Sequence, residues 1–139
     1  MKGALALFAS AVALGLSGCG QLNVAPEGNP DRVLTGTIEL SDAAALPADA
    51  EAVVRVVDSS DASAPPKVLG SETVRNLGTP PVEFRVEYRA EDEQLRRGLN
   101  VEARISYGGK VRYYNMNHYV VTFGNAADPH RISVVPTGP

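Results

Sequence analysis

The chain has 139 residues, a single cysteine and a formal net charge of −3 at pH 7. This length fits one ordinary domain, and a lone cysteine excludes an intramolecular disulfide, so a folded state must rest on a hydrophobic core. The acidic balance and the lack of a Lys/Arg-rich run argue against nucleic acid as a partner, because such binding depends on cations that neutralise phosphates.

The N-terminus has the layout of an export signal. Lys2 supplies a positive charge, residues 4–16 are small or apolar and uncharged, and small residues stand just before Cys19. Thirteen residues reach only about 20 Å as a helix, which is too short for the roughly 30 Å hydrocarbon core of a bilayer. We therefore predict a removable signal peptide over residues 1–18.

The quartet Leu16-Ser17-Gly18-Cys19 resembles the lipobox of bacterial lipoproteins. The resemblance implies cleavage before Cys19, a diacylglyceryl thioether on its sulfur, and a further acyl chain such as palmitate on the new amino terminus. Two or more acyl chains hold a protein on a membrane lastingly. Position 20 is glycine and not the aspartate that commonly retains such proteins in the inner membrane, so we expect a periplasm-facing anchor in the outer membrane.

The composition changes after the cysteine, to Gln, Asn, Pro, Glu and Gly without periodicity. This composition is typical of a flexible linker. We therefore predict a lipidated tether over residues 19–31 and a folded domain over residues 32–139.

The folded part is predicted to be all-β. Its clearest strand is Val82–Tyr88, where apolar and charged residues alternate, so that Phe84 should point inward and Arg85 outward. Gly108-Gly109 predicts a β-hairpin, and Ala90–Arg97 predicts one or two helical turns. Seven or eight short strands at this spacing are typical of an antiparallel β-sandwich. The predicted strands are Val33–Leu40, Ala52–Asp58, Lys67–Val74, Val82–Tyr88, Val101–Tyr107, Val111–Tyr114, Tyr119–Phe123 and Arg131–Val135.

The sequence offers little material for catalysis or metal binding. His118 and His130 stand twelve residues apart across a turn-rich segment, so we interpret them as surface or loop histidines and predict no metal, no cofactor and no catalytic residue. The cluster from Asp58 to Asp61 has residue types that hydrogen-bond their own backbone, which predicts a turn and not a calcium or nucleophile site.

Three of the five tyrosines lie between residues 111 and 119, together with asparagines and a methionine. Tyrosine and methionine are common at recognition surfaces because they combine apolar area with a polar or adaptable end. We therefore predict a binding surface made of Tyr113, Tyr114, Met116, His118 and Tyr119. The alternative is that Tyr113 and Tyr119 merely cover the end of a sheet.

Several pieces of the chain, from about Val33 to Val121, resemble the YscW-like lipoprotein family, which also includes YbaY-type envelope lipoproteins. The matching pieces are Gly36-Thr37-Ile38, Ala45-Leu46-Pro47, Ala50, Val54–Ser60, Ala64-Pro65, Asn76, Gly78, Pro81–Phe84 and Ala103-Arg104-Ile105. The resemblance implies a β-sandwich lipoprotein. The named members of the family act as pilotins, which bind the tail of a secretin and escort it to the outer membrane, whereas the YbaY-type members have no settled role. This sequence is more similar to the general envelope branch, because the match lies in strand and turn residues.

The leading hypothesis is therefore a non-enzymatic lipoprotein that is anchored through Cys19 and binds another envelope protein, with a secretin as the type of partner the family suggests. The alternative is a periplasm-facing module that binds a small ligand or a glycan through the Tyr113–Tyr119 segment. An enzyme is the third reading, and no residue pattern favours it.

Overall fold

The computed structural model describes residues 30–42 and 45–138. The predicted signal peptide over residues 1–18, the predicted lipidation site Cys19 and nearly all of the predicted tether therefore lie outside the described residues.

Eight strands and one short helix make up the described part of the chain, so the predicted all-β class is confirmed. Each strand begins and ends within two residues of its predicted limits, because the period-two pattern and the turn residues are local signals. The elements are β1 (Arg32–Leu40), β2 (Glu51–Asp58), β3 (Lys67–Arg75), β4 (Val82–Tyr88), α1 (Asp92–Arg97), β5 (Leu99–Tyr107), β6 (Lys110–Tyr114), β7 (Tyr119–Val121) and β8 (His130–Pro136).

The strands form one continuous sheet in the order β3-β2-β5-β6-β8-β1-β4, with β7 paired to β5. Neighbouring strands are antiparallel except β1 and β8, which are parallel. The two ends of the sheet meet at Gly70 on β3, where a Cβ atom would lie 2.3 Å from the carbonyl oxygen of Glu87. One backbone hydrogen bond, from Arg89 N–H to the Leu69 carbonyl at 3.2 Å, joins them there.

This nearly closed, barrel-like sheet corrects the predicted β-sandwich. The last residues of β8 pair with β6, while its first five pair with β1, so β8 joins strands that a sandwich would divide between two sheets. The parallel pair also departs from the predicted antiparallel arrangement. Periodicity reports which face of a strand is buried, and it carries no information on which strands become neighbours.

The core lies inside this sheet and is built from the apolar positions of the alternating strands. On β4, the four apolar residues are buried and the three charged ones are exposed, as predicted. Phe84 is 5% exposed, and Val86 is fully buried. The helix α1 adds Leu95 to this core and starts with a capping box, in which Glu91 N–H donates to Gln94 Oε1 at 2.9 Å.

Within residues 30–42 and 45–138, no helix has the length and apolar character that crossing a bilayer would require.

Candidate binding groove

The predicted hairpin joins β5 to β6 and sets up the candidate site. Gly108 and Gly109 form its turn with φ angles of 62° and 76°, which glycine adopts without steric cost. Along β5, buried Val101, Ala103 and Ile105 alternate with polar residues that face away from the core. The hairpin therefore places a row of polar side chains on the outer face of the sheet.

Asn115 lies between β6 and β7. It forms hydrogen bonds with the backbone of β5, as a residue of a paired strand would. Its backbone N–H donates to the Ala103 carbonyl at 3.2 Å, and its side-chain oxygen accepts from Ala103 N–H at 2.8 Å. Its side-chain Nδ2 donates to the Val101 carbonyl at 2.8 Å. One asparagine thus satisfies backbone groups of β5 in the gap between β6 and β7, and it fixes the start of the segment 116–118.

Beside this segment lies a shallow groove of about 200 Å³, lined by Tyr114, Met116, Asn117 and His118 on one side. Glu102 and Arg104 of β5 line the other side. A second depression of about 180 Å³ adjoins it and shares these same two residues. We call the two together the outer groove. Its lining residues are Val53, Arg55, Asn100, Val101, Glu102, Arg104, Ser106, Val111, Tyr114, Asn115, Met116, Asn117 and His118.

The structure divides the five residues of the predicted surface into two sets. Tyr114, Met116 and His118 line the outer groove, and Met116 is 64% exposed. Tyr113 is only 7% exposed and belongs to the core, while Tyr119 is half-buried and packs against it. Neighbouring strand residues point to opposite faces, so Tyr113 and Tyr114 could not share one surface. The ring of Tyr113 is therefore not accessible to a partner.

The hydroxyl group of the buried Tyr113 has a hydrogen-bond partner within the domain. Its hydroxyl donates to the Asp42 carboxylate, with oxygen–oxygen distances of 3.1 and 3.2 Å. Burial raises the pKa of Tyr113, and the hydrogen bond and charge of Asp42 raise it further. The neutral phenol therefore ties β6 to the turn that follows β1.

The charges of the outer groove are only partly neutralised. Arg55 and Glu102 form an ion pair at 2.7 Å, with both side chains about one-third exposed. Arg104 is exposed, and no described residue forms a hydrogen bond or an ion pair with its guanidinium. Sequence reasoning missed this member of the groove. The alternation in β5 predicts that Arg104 faces outward. The ion pair between Glu102 and Arg55, which leaves Glu102 unavailable to Arg104, depends on the pairing of β2 with β5 and could not be predicted from that alternation.

The acidic cluster after β2 has the predicted role of a turn. Asp58 accepts from Ser60 N–H and Asp61 accepts from Ser63 N–H, each at 3.0 Å. Burial raises the pKa of Asp58, but hydrogen bonds from Ser60 and Gln94 outweigh it and hold that pKa below its usual value. Over the residues that the structure describes, no group of three or more His, Cys, Asp or Glu side chains could hold a metal ion.

The two histidines differ in environment, which corrects the prediction that both are surface or loop residues. His118 is exposed, but His130 begins β8 and is only 2% exposed. Its Nδ1 lies 2.8 Å from the Tyr119 hydroxyl, and its Nε2 has no hydrogen-bond partner among the described residues. Burial lowers the pKa of His130, against the opposing influence of the Ala126 backbone and the Asp128 carboxylate.

We expect His130 to make the fold less stable in mild acid. Because its pKa is lower in the folded state than the usual 6.5, the unfolded chain binds the proton more readily. The contribution of His130 to stability should therefore be fully present well above pH 6.5 and fall, by at most about 1.4 kcal/mol per pH unit, as the pH drops toward the lower folded pKa. Urea unfolding at pH 7.5, 6.5 and 5.5 measures this loss.

The matched control for this measurement is His118→Gln, because His118 is exposed and lies outside the core. His130→Gln should flatten the profile between pH 7.5 and 5.5. An equal slope in the wild type and in His130→Gln would contradict the assignment to His130.

Comparison with known proteins agrees with this architecture. Residues 29–134 match the family model described as type III secretion system lipoprotein chaperone (YscW). A solved structure of an alternative pilotin from the type II secretion system of Vibrio cholerae is similar, with 27% sequence identity and a TM-score of 0.66 over 78% of this chain and 98% of that chain. No curated protein is similar enough in sequence to match. Because the family model spans most of the chain, the protein belongs to the YscW family of type III secretion system lipoprotein chaperones.

Proposed function

We propose that this protein is a lipid-anchored envelope chaperone of the pilotin type, which binds a segment of a secretin and performs no catalysis. The observation that carries the proposal is the agreement between the family match over residues 29–134 and the likeness to a pilotin along nearly the whole of that pilotin's length. Both comparisons concern proteins of secretion systems, one of type III and one of type II.

The proposed anchor is a lipid on Cys19, in the outer membrane and facing the periplasm. It is supported by the signal-like leader and by the lipobox-like quartet that ends at Cys19. A coil of about a dozen residues after the cysteine spans roughly 20 Å, which would keep the domain close to its membrane. A chaperone held there would act where a secretin must be delivered.

The proposed contact surface is the outer groove, with Tyr114, Met116 and His118 as the residues that meet the partner. Tyr114 and Met116 bring aromatic and adaptable apolar area, and neither is fully buried. A few such anchors usually contribute most of the binding energy of a protein interface. The rigid strands β5 and β6 beneath them hold the floor of the groove in place.

We expect the double variant Tyr114→Ala/Met116→Ala to bind its partner at least about tenfold more weakly, since such anchors are worth about 1–2 kcal/mol each. The measurement is a titration of the purified domain with labelled C-terminal segments of the secretins encoded by the same organism. Phe123→Ala is the matched control, because Phe123 is 52% exposed but lies outside the outer groove. Thermal unfolding of each variant verifies that the fold is intact.

The proposed function fails if the wild-type domain binds none of these secretin segments. The choice of surface fails if Phe123→Ala weakens binding as much as the double variant does.

A small-ligand or glycan-binding role is the second candidate, and the geometry supports it less well. The two depressions of the outer groove have volumes of about 200 and 180 Å³ and are open to solvent. Pockets for small ligands usually enclose about 300–1,000 Å³ and surround most of the ligand. An extended segment of a protein suits a shallow, open groove better.

A further inference from the structure

Arg104 borders both depressions of the outer groove. On β5 it pairs with Val53 of β2 on one side and with Tyr114 of β6 on the other. Because it is shared by the two depressions, a segment that occupies the groove along its length must pass Arg104.

Arg104 differs from the other arginines of the strands in having no partner. Arg55 is neutralised by Glu102 at 2.7 Å, and Arg112 donates to the Tyr107 carbonyl while its guanidinium lies over the Tyr107 ring. Four others are close to carboxylates, and these pairs are Arg32–Asp92, Arg75–Glu51, Arg85–Glu87 and Arg131–Glu39. In the described part of the chain, Arg104 is the only strand arginine without a hydrogen bond, an ion pair or a ring contact.

The local charge is opposite in sign to that of the whole molecule. The chain carries a net charge of −3, whereas the outer groove holds two arginines and one glutamate. Because Arg55 and Glu102 cancel each other, the excess positive charge is that of Arg104. A guanidinium has several N–H donors in a planar arrangement that matches the two oxygens of a carboxylate. It can therefore bind acidic side chains specifically.

Apolar area adjoins this cation. Tyr114 is the cross-strand neighbour of Arg104, and Met116 lies farther along the same side of the groove. On the other side, Val53 and Val111 line the adjoining depression. An isolated small anion would meet the cation but would leave this apolar area uncovered. A peptide that carries an acidic side chain together with apolar side chains would pair with the cation and also cover the apolar area.

We propose that the outer groove takes an acidic, amphipathic segment of the partner protein, and that Arg104 selects this segment by pairing with one of its carboxylates. The proposal rests on the proposed function, since it names the chemistry of the segment that the chaperone binds. Arg104 then determines the specificity for an acidic segment, and Tyr114 and Met116 provide the apolar contact.

The test uses labelled C-terminal segments of the secretins encoded by the same organism, titrated with the wild-type domain and with Arg104→Gln and Arg104→Glu. Loss of the charge in Arg104→Gln should weaken binding by about two- to fivefold, the range for a partly exposed ion pair. The reversed charge in Arg104→Glu should weaken it by about tenfold or more, because like charges then face each other. Raised salt should weaken wild-type binding more than binding by Arg104→Gln.

The matched control is Arg85→Glu, on the outward face of β4, a strand that contributes no residue to the outer groove. This variant changes the net charge as much as Arg104→Glu does and should leave the affinity unchanged. On the partner side, each Asp or Glu of the segment is replaced in turn by its amide. One of these changes should reproduce the loss seen in Arg104→Gln and have no further effect when combined with it. A lysine at that position should restore binding to Arg104→Glu.

The outcomes separate the two proposals. If the wild-type domain binds a segment but Arg104→Glu binds it equally well, the role of Arg104 is wrong and the proposed function stands. If Arg85→Glu weakens binding as much as Arg104→Glu, the effect is one of overall charge and the inference is overturned. If the wild-type domain binds no segment, both proposals fall.

Discussion

Replacing Phe84 with alanine is expected to lower the free energy of unfolding by about 3–5 kcal/mol, as is typical of a buried aromatic ring. The ring is 5% exposed and packs over Gly36, its partner on β1. A Cβ atom at Gly36 would lie 2.9 Å from the Phe84 ring. Because glycine has no side chain that could move into the vacated space, the cavity would remain largely unfilled.

Arg85→Ala is the control for this experiment, because Arg85 lies on the opposite face of the same strand. Its ion pair with Glu87 is exposed to solvent, so its loss should cost less than about 1 kcal/mol. Urea unfolding of both variants at one pH gives the comparison. Equal losses of stability would contradict the one-sided burial of β4.

Replacing Cys19 with serine is expected to abolish membrane attachment. A hydroxyl cannot form the thioether that the lipobox-like quartet implies, and the domain would then lose acyl chains that each contribute about 0.8 kcal/mol per buried CH₂ group. Separation of membrane and soluble fractions measures the attachment. Mass spectrometry of the wild-type protein should detect the lipid on Cys19.

The control for the anchor is Gly20→Ala, which leaves the cysteine in place and should remain with the membrane. If Cys19→Ser is found in the membrane fraction as before, and the mass of the wild type carries no lipid, the anchor assignment is wrong.

The sequence predicts the strands well and their arrangement only in part. Val82–Tyr88 and the hairpin at Gly108-Gly109 depend on residues that are close in the chain, and both are confirmed. The parallel pairing of β1 with β8 joins residues more than ninety positions apart. The closure at Gly70 likewise depends on a backbone contact with the end of β4. No local pattern encodes either of these.

The candidate site could be predicted to a similar extent. The composition of residues 111–119 predicted a binding surface there, and three of its five named residues line one groove. Strict alternation along β6 would also have separated Tyr113 from Tyr114. The position of Arg104 beside Tyr114 follows from the hairpin register, which includes a bulge between Ile105 and Ser106. That Arg104 has no partner depends on contacts between β2 and β5, which are distant in sequence.

The hydrogen bonds of Asn115 affect the entropic cost of binding at the outer groove. Its three hydrogen bonds to β5 restrict the backbone next to Met116 and His118 before any partner arrives. The conformational entropy of that segment is therefore lost when the domain folds and not when it binds. A partner that binds the outer groove, as we propose, would meet a preorganised loop, so more of the contact energy would remain available as affinity.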